Sequence, residues 1–271
     1  MTTKAAAPCY EVFALRYATV ERQAQENFIS SDPHDGPLSM DYFVWAIRGE
    51  GRSIVVDTGF GAEAARRRGR QLLQPPRQAL AALGVDCDAV ADVVITHLHY
   101  DHAGNLQDFP KAKFHLQDAE IAYATGRLMC HDMLRHAYDV EDVVTMVRRV
   151  YAGRVIFHEG EAEIAPGVTL HRVGGHTQGL QVVRVATARG HVVLASDASH
   201  YYANIRNRDP FPIVVDVGAM LEGYRTVERL ADSPDHIIPG HDPEVMRLYP
   251  PAQAGQGTVE AVALHLPPAV S

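Results

Sequence analysis

Three histidines and an aspartate fall within six residues, at His97, His99, Asp101 and His102, directly after the β-branched run Val93-Val94-Ile95. Neutral imidazole nitrogen and carboxylate oxygen are the donors that borderline and hard divalent cations take. A fold gains little by crowding such groups into one turn unless something positive sits among them. His97 and His99 are two residues apart, so in an extended segment they leave the same face and can share one cation. Asp101 and His102 follow once the chain has begun to turn toward Ala103-Gly104-Asn105, and they can face a second cation close by. Two metals, each completed by distant residues, fit this spacing better than one metal taking four ligands from six residues.

The completing residues are sought at the ends of other strands. Gly174-Gly175-His176-Thr177-Gln178-Gly179 puts a histidine in a glycine-rich turn after the strand-like stretch 168–173. The apolar run 191–196 ends in Asp197, and Ile237-Ile238-Pro239-Gly240 ends in His241. With the opening run these give five histidines and two aspartates and no cysteine, a set suited to a dinuclear site with one carboxylate between the metals. A histidine beside an apolar strand is ordinarily a hydrogen-bonded rim residue, so His176 and His241 gain their weight from the company they keep. Asp57 either shapes the Asp57-Thr58-Gly59 turn or holds a ligand histidine through its other ring nitrogen. His34, His115, His131, His136, His158 and His171 have no partner at ligand spacing and read as surface or structural.

Several elements must position these residues. Residues 10–18, 42–47 and 53–56 read as strands and 61–84 as helical, interrupted by Pro75-Pro76. After the opening run, 113–116 reads as a strand, 118–124 as a helix and 128–151 as a longer amphipathic helical segment. Strands return over 154–186 and 191–197, followed by a helix at 216–231 and a last strand at 236–239. The metal run would sit at the C-terminal end of its strand, where α/β proteins place ligands.

The chain resembles the metallo-β-lactamase superfamily. The His-x-His-x-Asp-His pattern is present, His176, Asp197 and His241 follow in the family's order, and Val55-Val56-Asp57-Thr58-Gly59 matches the strand and turn ahead of the metal motif. The resemblance covers roughly residues 40 to 245. It implies an α/β (α+β type) fold, an αββα sandwich of two mixed sheets packed face to face with helices outside. On that basis residues 1–271 form a single domain, with a helical insert near 127–151 and a loose tail after 250. The resemblance also implies that His97, His99 and His176 hold one metal and Asp101, His102 and His241 the other, with Asp197 between them. The cofactor is then two divalent metal ions, zinc first and manganese, cobalt or iron as alternatives.

Two cations sharing a hydroxide supply a nucleophile near neutral pH, and Asp101 can relay a proton as well as bind metal. This points to hydrolysis of a small-molecule carbonyl substrate. Length, layout and Asp197-Ala198-Ser199 look most like the N-acyl homoserine lactonase branch, and so like a quorum-quenching lactonase. That branch usually carries a tyrosine three residues after the bridging aspartate; here the position is His200, with Tyr201 and Tyr202 after it. His200 is the first candidate to replace the tyrosine, and Tyr201 or Tyr202 reaching in from a shifted turn is the second. Tyr100 reads as pocket wall. Met129, Met133 and Phe28 are candidates for an apolar acyl pocket. The alternatives are a hydrolase of a cyclic amide, amide or thioester on the same fold, and a non-catalytic metal-binding protein.

Composition agrees with an enzyme of this kind. The chain has 271 residues, 46% of them hydrophobic, and a net charge of −8, which gives no electrostatic footprint for nucleic acid. The triplet Arg66-Arg67-Arg68 reads as a solvated helix face. No run is long enough to span a membrane, the N-terminus lacks a signal-peptide core, and Cys9, Cys87 and Cys130 form no disulfide framework. The expectation is a cytoplasmic monomer or homodimer, with no nucleic-acid or membrane partner.

Overall fold

The computed structural model describes residues 9–32, 34–255 and 259–269. The strands, in chain order, are β1 (Glu11–Val20), β2 (Met40–Gly49), β3 (Arg52–Val56), β4 (Gln71–Leu72), β5 (Asp92–Val94), β6 (Lys113–Gln117), β7 (Val155–His158), β8 (Glu161–Ala165), β9 (Val168–Arg172), β10 (Gln181–Thr187), β11 (Gly190–Ser196), β12 (Ile237–Pro239) and β13 (Ala261–Ala263). One sheet runs β13-β1-β2-β3-β5-β6-β7, with β4 paired to β1; the other runs β12-β11-β10-β9-β8. Both sheets are mixed: β1 and β2 are antiparallel, β3, β5, β6 and β7 parallel, and β12 joins β11 in parallel.

Alternation along each strand explains the layering. In β2, Phe43, Trp45 and Ile47 enter the core shared by the two sheets, while Tyr42, Val44 and Ala46 enter the core under the helices of the first sheet. In β11, Val192 and Leu194 face the shared core, and Val193 and Ala195 face the helix Val217–Leu230. Strands covered on both faces read as continuous apolar runs, and the result is the expected αββα sandwich.

Three local expectations are corrected. Residues 128–151 are not one helical run: a turn at Arg127–Cys130 and a short helix at Asp132–Arg135 precede the helix Val140–Tyr151. The break arises because the Tyr100 amide donates to Ala137 O (3.0 Å) and Tyr138 bridges His99, which draws residues 137–138 out of helical geometry. Asp139 then restarts the helix by accepting from the Glu141 amide. Between 61 and 84, helices Ala62–Arg68 and Pro76–Ala82 flank β4, and Pro76 opens the second helix rather than interrupting one. The segment after 250 is not loose throughout. β13 covers the outer edge of β1, pairing Val262 with Ala14, and its side chains are buried. Residues 256–258 and 270–271 of that segment lie outside the described residues. Among the described residues no helix is long and apolar enough to cross a membrane.

Candidate metal centre

The loops after β5, β9, β11 and β12 all open at one end of the sandwich and bring the seven expected ligands together. Asp197 is the hub. Its Oδ1 lies 3.2 Å from His102 Nε2 and 3.1 Å from His241 Nε2, while Oδ2 lies 3.1 Å from His176 Nε2 and 3.8 Å from His97 Nε2. His99 Nδ1 is 3.0 Å from both His97 Nε2 and His176 Nε2. Asp101 Oδ2 stands 3.8 Å from His102 Nε2 and 4.0 Å from His241 Nε2. The donor atoms therefore fall into His97, His99, His176 and Asp197 on one side, and Asp101, His102 and His241 on the other. His200 Nε2 also approaches Asp197 Oδ2 at 3.0 Å, so Asp197, His200 and His241 form a third grouping at ligand spacing.

The outward ring nitrogens are fixed by the surrounding fold. His102 Nδ1 donates to Asp57 Oδ2 at 2.7 Å, which gives Asp57 the holding function considered for it. His241 Nδ1 donates to Asp41 O (2.8 Å) and His176 Nδ1 to Ile213 O (2.6 Å). Thr96 Oγ1 donates to Asp57 Oδ2 at 2.8 Å and so accepts from His97 Nδ1 at 3.1 Å. Each of these bonds leaves the Nε2 lone pair facing inward. Asp57 (φ 61°) and Ser196 (φ 46°) hold left-handed backbone conformations that non-glycine residues rarely take, and both flank the cluster.

A buried carboxylate that the sequence did not single out ties two of the ligand loops together. Glu120 accepts from the Leu98 amide (2.9 Å), the Tyr138 hydroxyl (3.2 Å), the Thr177 hydroxyl (2.6 Å) and the Gly179 amide (3.1 Å). Tyr138 in turn packs edge-on against the His99 ring, 4.6 Å between centroids. A Cβ on Gly179 would lie 2.2 Å from the Glu120 nitrogen, so only glycine permits this approach.

These residues fit divalent metal binding. His99 Nδ1 meets two other inward imidazole nitrogens at 3.0 Å, a close approach of ligating atoms that a cation between them would account for, and the inward His102 Nε2 is buried without a hydrogen-bond partner. Burial, then the neighbouring histidines, holds His97 and His99 well below the usual imidazole range, in the neutral form that ligates. Burial opposes charge on His102 too, but Asp197, Asp57 and Asp101 outweigh it and hold that ring well above the usual range. Burial likewise opposes charge on Asp197, and the four facing histidines outweigh it and hold the carboxyl well below. The His97 and His102 shifts thus run in opposite directions because the carboxylates face only one of them closely.

A narrow cavity of about 70 Å³ opens over the cluster. Its floor is His99, Asp101, His176, Asp197, His200 and His241; Met40, Phe211 and Ile213 supply apolar lining, and Tyr42, Tyr100, Arg22, Arg68 and Arg70 complete the walls, with Arg22 over the Phe211 ring. Tyr100 is pocket wall as expected, its hydroxyl pushed up to about 12 by burial and then by Asp101. His200 lies on the floor, stacked on Phe211 at 3.8 Å, with its ring pushed down to about 3 by burial. Tyr201 and Tyr202 do not reach the cluster. The Tyr201 hydroxyl donates to Ser39 O (3.2 Å), and Tyr202 packs in the core between the sheets. Their backbone is turned away because Asn204 accepts from the Tyr201 amide and Asp242 from the Tyr202 amide. Phe28, Met129 and Met133 do not line the cavity either: Phe28 lies against Tyr201, Met129 on the outer core, and Met133 is 81% exposed. Arg68, by contrast, leaves the solvated face expected for its triplet and turns inward, while Arg66 and Arg67 stay exposed.

Fold and site together define a metallo-hydrolase of αββα type. The family model of the metallo-beta-lactamase superfamily matches residues 41–246, and the chain belongs to that superfamily. Among curated relatives, it is 25% identical over 221 residues to a probable metallo-hydrolase of Mycobacterium tuberculosis, covering 71% of this chain and 68% of that one. It is 26% identical over 222 residues to the N-acyl homoserine lactonase AiiA of Bacillus thuringiensis subsp. kurstaki, covering 76% and 83%. Among solved structures, a quorum-quenching N-acyl homoserine lactone lactonase superposes with a TM-score of 0.73 at 22% identity, over 88% of this chain and 94% of that one. AidC, a dizinc quorum-quenching lactonase, superposes with a TM-score of 0.68 at 16% identity, over 86% and 88%. Both confirm the sandwich.

Proposed function

We propose that this chain is a dinuclear metal-dependent lactonase that opens a small lactone ring, AiiA among the relatives named above being an N-acyl homoserine lactonase. The observation that carries the reading is the division of labour at Asp197: one carboxylate oxygen faces His102 and His241, the other His176 and His97. His97, His99 and His176 would hold one cation, Asp101, His102 and His241 the other, and Asp197 both, with zinc the first candidate. When bound, two divalent cations supply a water nucleophile at neutral pH and draw electron density from a carbonyl oxygen.

The chain's own residues do the rest. Asp101 has the most exposed side chain of the seven, 11%, and lines the cavity, so it is placed to hold a proton and pass it to the departing ring oxygen. The neutral His200 ring has one N–H. It donates from Nε2 to Asp197 Oδ2, and the same N–H is the donor that can turn toward a substrate oxygen in the cavity. Met40, Phe211 and Ile213 exclude water from one side.

The test measures metal content and acid release on the same sample, using a panel of lactones, amides and thioesters. Two metals per chain and lactone turnover that is lost on chelation support the reading. Release from amides or thioesters alone, or a fully metallated but inert protein, defeats it.

A further inference from the structure

Arg22, Arg68 and Arg70 line the cavity above the metal cluster, and none lies within ion-pair distance of a carboxylate among the described residues. By contrast Arg67, next to Arg68 in the chain, pairs directly with Glu63 and Asp139. The two carboxylates that line the cavity, Asp101 and Asp197, belong to the ligand cluster.

Each of the three guanidinium groups is held by neutral acceptors and keeps one nitrogen without a partner among the described residues. Arg68 donates from Nη1 to His136 O (2.9 Å) and from Nη2 to Tyr138 O (3.1 Å), and lies 3.8 Å over the Tyr100 ring. Its Nε is buried and unpartnered. Arg70 donates from Nε to the Tyr100 hydroxyl (3.2 Å) and from Nη1 to Arg68 O (2.8 Å), which leaves Nη2. Arg22 donates from Nε to Asn27 Oδ1 (2.8 Å) and from Nη2 to Glu26 O (2.9 Å), which leaves Nη1, 5.4 Å being the distance from its guanidinium to the Phe211 ring. Side chains fixed in this way have lost their rotamer freedom before a ligand arrives, and no carboxylate pairs with them directly among the described residues. Such a guanidinium is the preferred partner of a planar anion.

We propose that the substrate is anionic: a compact lactone or ester that carries a carboxylate, seated on the arginines that line the cavity while the carbonyl faces the cluster. This rests on the lactonase reading and departs from the neutral acyl homoserine lactones for which the lactonases among the relatives are named. A neutral ligand would leave three fixed cations lining a narrow cavity with no directly paired carboxylate among the described residues, whereas a small carboxylate uses both the charge and the apolar lining of Met40, Phe211 and Ile213.

The experiment has two arms on the metal-loaded enzyme. In the first, a γ-butyrolactone bearing a carboxylate on the carbon beside the ring oxygen is compared with its neutral carboxamide. The carboxylate should show kcat/KM at least about tenfold higher, with the advantage shrinking as salt is added. Arg70→Gln and Arg22→Gln should each bring that ratio toward one, chiefly through KM. Equal rates for the two substrates, or a ratio that neither variant changes, overturns the proposal. In the second arm, the non-hydrolysable tetrahydrofuran carboxylate and its carboxamide are titrated calorimetrically into wild type and both variants. Tighter carboxylate binding that is lost in Arg70→Gln is expected. Binding that both variants retain places the carboxylate on the metals and overturns the proposal, as does absence of binding. If no lactone of either charge is turned over, the lactonase reading falls while the binding arm still decides the question of charge.

Discussion

Glu120 Oε2 accepts from the Thr177 hydroxyl at 2.6 Å, one residue past His176, while Oε1 of the same carboxylate accepts from the Leu98 amide at 2.9 Å, between His97 and His99. One side chain thus sets the distance between two loops that contribute three inward imidazoles. All four of its partners are donors, so the site requires a group that only accepts. Glutamine would turn its amide N–H groups toward donors and could not rescue the contact. Glu120→Gln should weaken metal binding on the His97, His99 and His176 side by about 10- to 100-fold and affect the Asp101, His102 and His241 side less. Metal-to-protein ratio against a graded chelator would then show one metal leaving early. Two metals lost together, as in wild type, would count against this role.

Gly179 makes the same junction possible from the other side. Its missing Cβ would lie 2.2 Å from the Glu120 nitrogen and 2.4 Å from its Cα, both backbone atoms that cannot swing aside. Gly179→Ala should therefore destabilise by about 3 kcal/mol or more, at the upper end of overpacking costs. Urea unfolding checks it. A change under about 1 kcal/mol would mean that the loop relaxes freely and that Glu120 does not hold it tightly.

Much of the candidate site could be read from the chain because its proposed ligands sit in local patterns. The run from His97 to His102 and the strand ends at His176, Asp197 and His241 each carry their own signal, and the strands announce themselves by β-branched composition. Glu120, Arg68, Arg70 and Phe211 carry no local signal; they matter only because the fold brings distant segments together. Tyr201 and Tyr202 were candidates by proximity in sequence, but the bonds to Asn204 and Asp242 fix their backbone direction, which spacing alone does not reveal. The break in the 128–151 segment has the same origin: residues 137–138 leave the helix to pair with the metal run itself.

His200 is stacked flat on Phe211, with centroids 3.8 Å apart and planes 6° from parallel, and its Nε2 is directed at Asp197. His200→Phe keeps the aromatic packing and removes the N–H. We expect kcat to fall by about 10²-fold, the usual cost of one oriented donor, with two metals retained. His200→Gln, which can present an N–H from a similar position, should recover part of the loss. If metal content drops along with activity in His200→Phe, the residue is a ligand and the donor assignment fails.

Asp142, in the first turn of the helix Val140–Tyr151, gives a pH prediction away from the metal cluster. Burial raises its carboxyl from the usual 3.8 to about 7, and the nearby Asp139 adds to this against the pull of Arg67 and Arg68. A raised carboxyl pKa means that folding favours the protonated form. The contribution to stability is therefore complete below the unfolded value near 4, declines above it, and is lost as pH rises through about 7, leaving a buried charge as a cost. Asp142→Asn is isosteric with the protonated acid and cannot ionise. The variant should match wild type near pH 4 and exceed it by about 1–2 kcal/mol near pH 8, after allowing for solvent screening of a partly exposed group. Paired urea unfolding curves across that range give the difference directly, since every other titration is common to both proteins. A constant difference between pH 5 and 8.5 would show that the carboxyl is ionised at little cost, and that the positive end of the helix dipole offsets its burial.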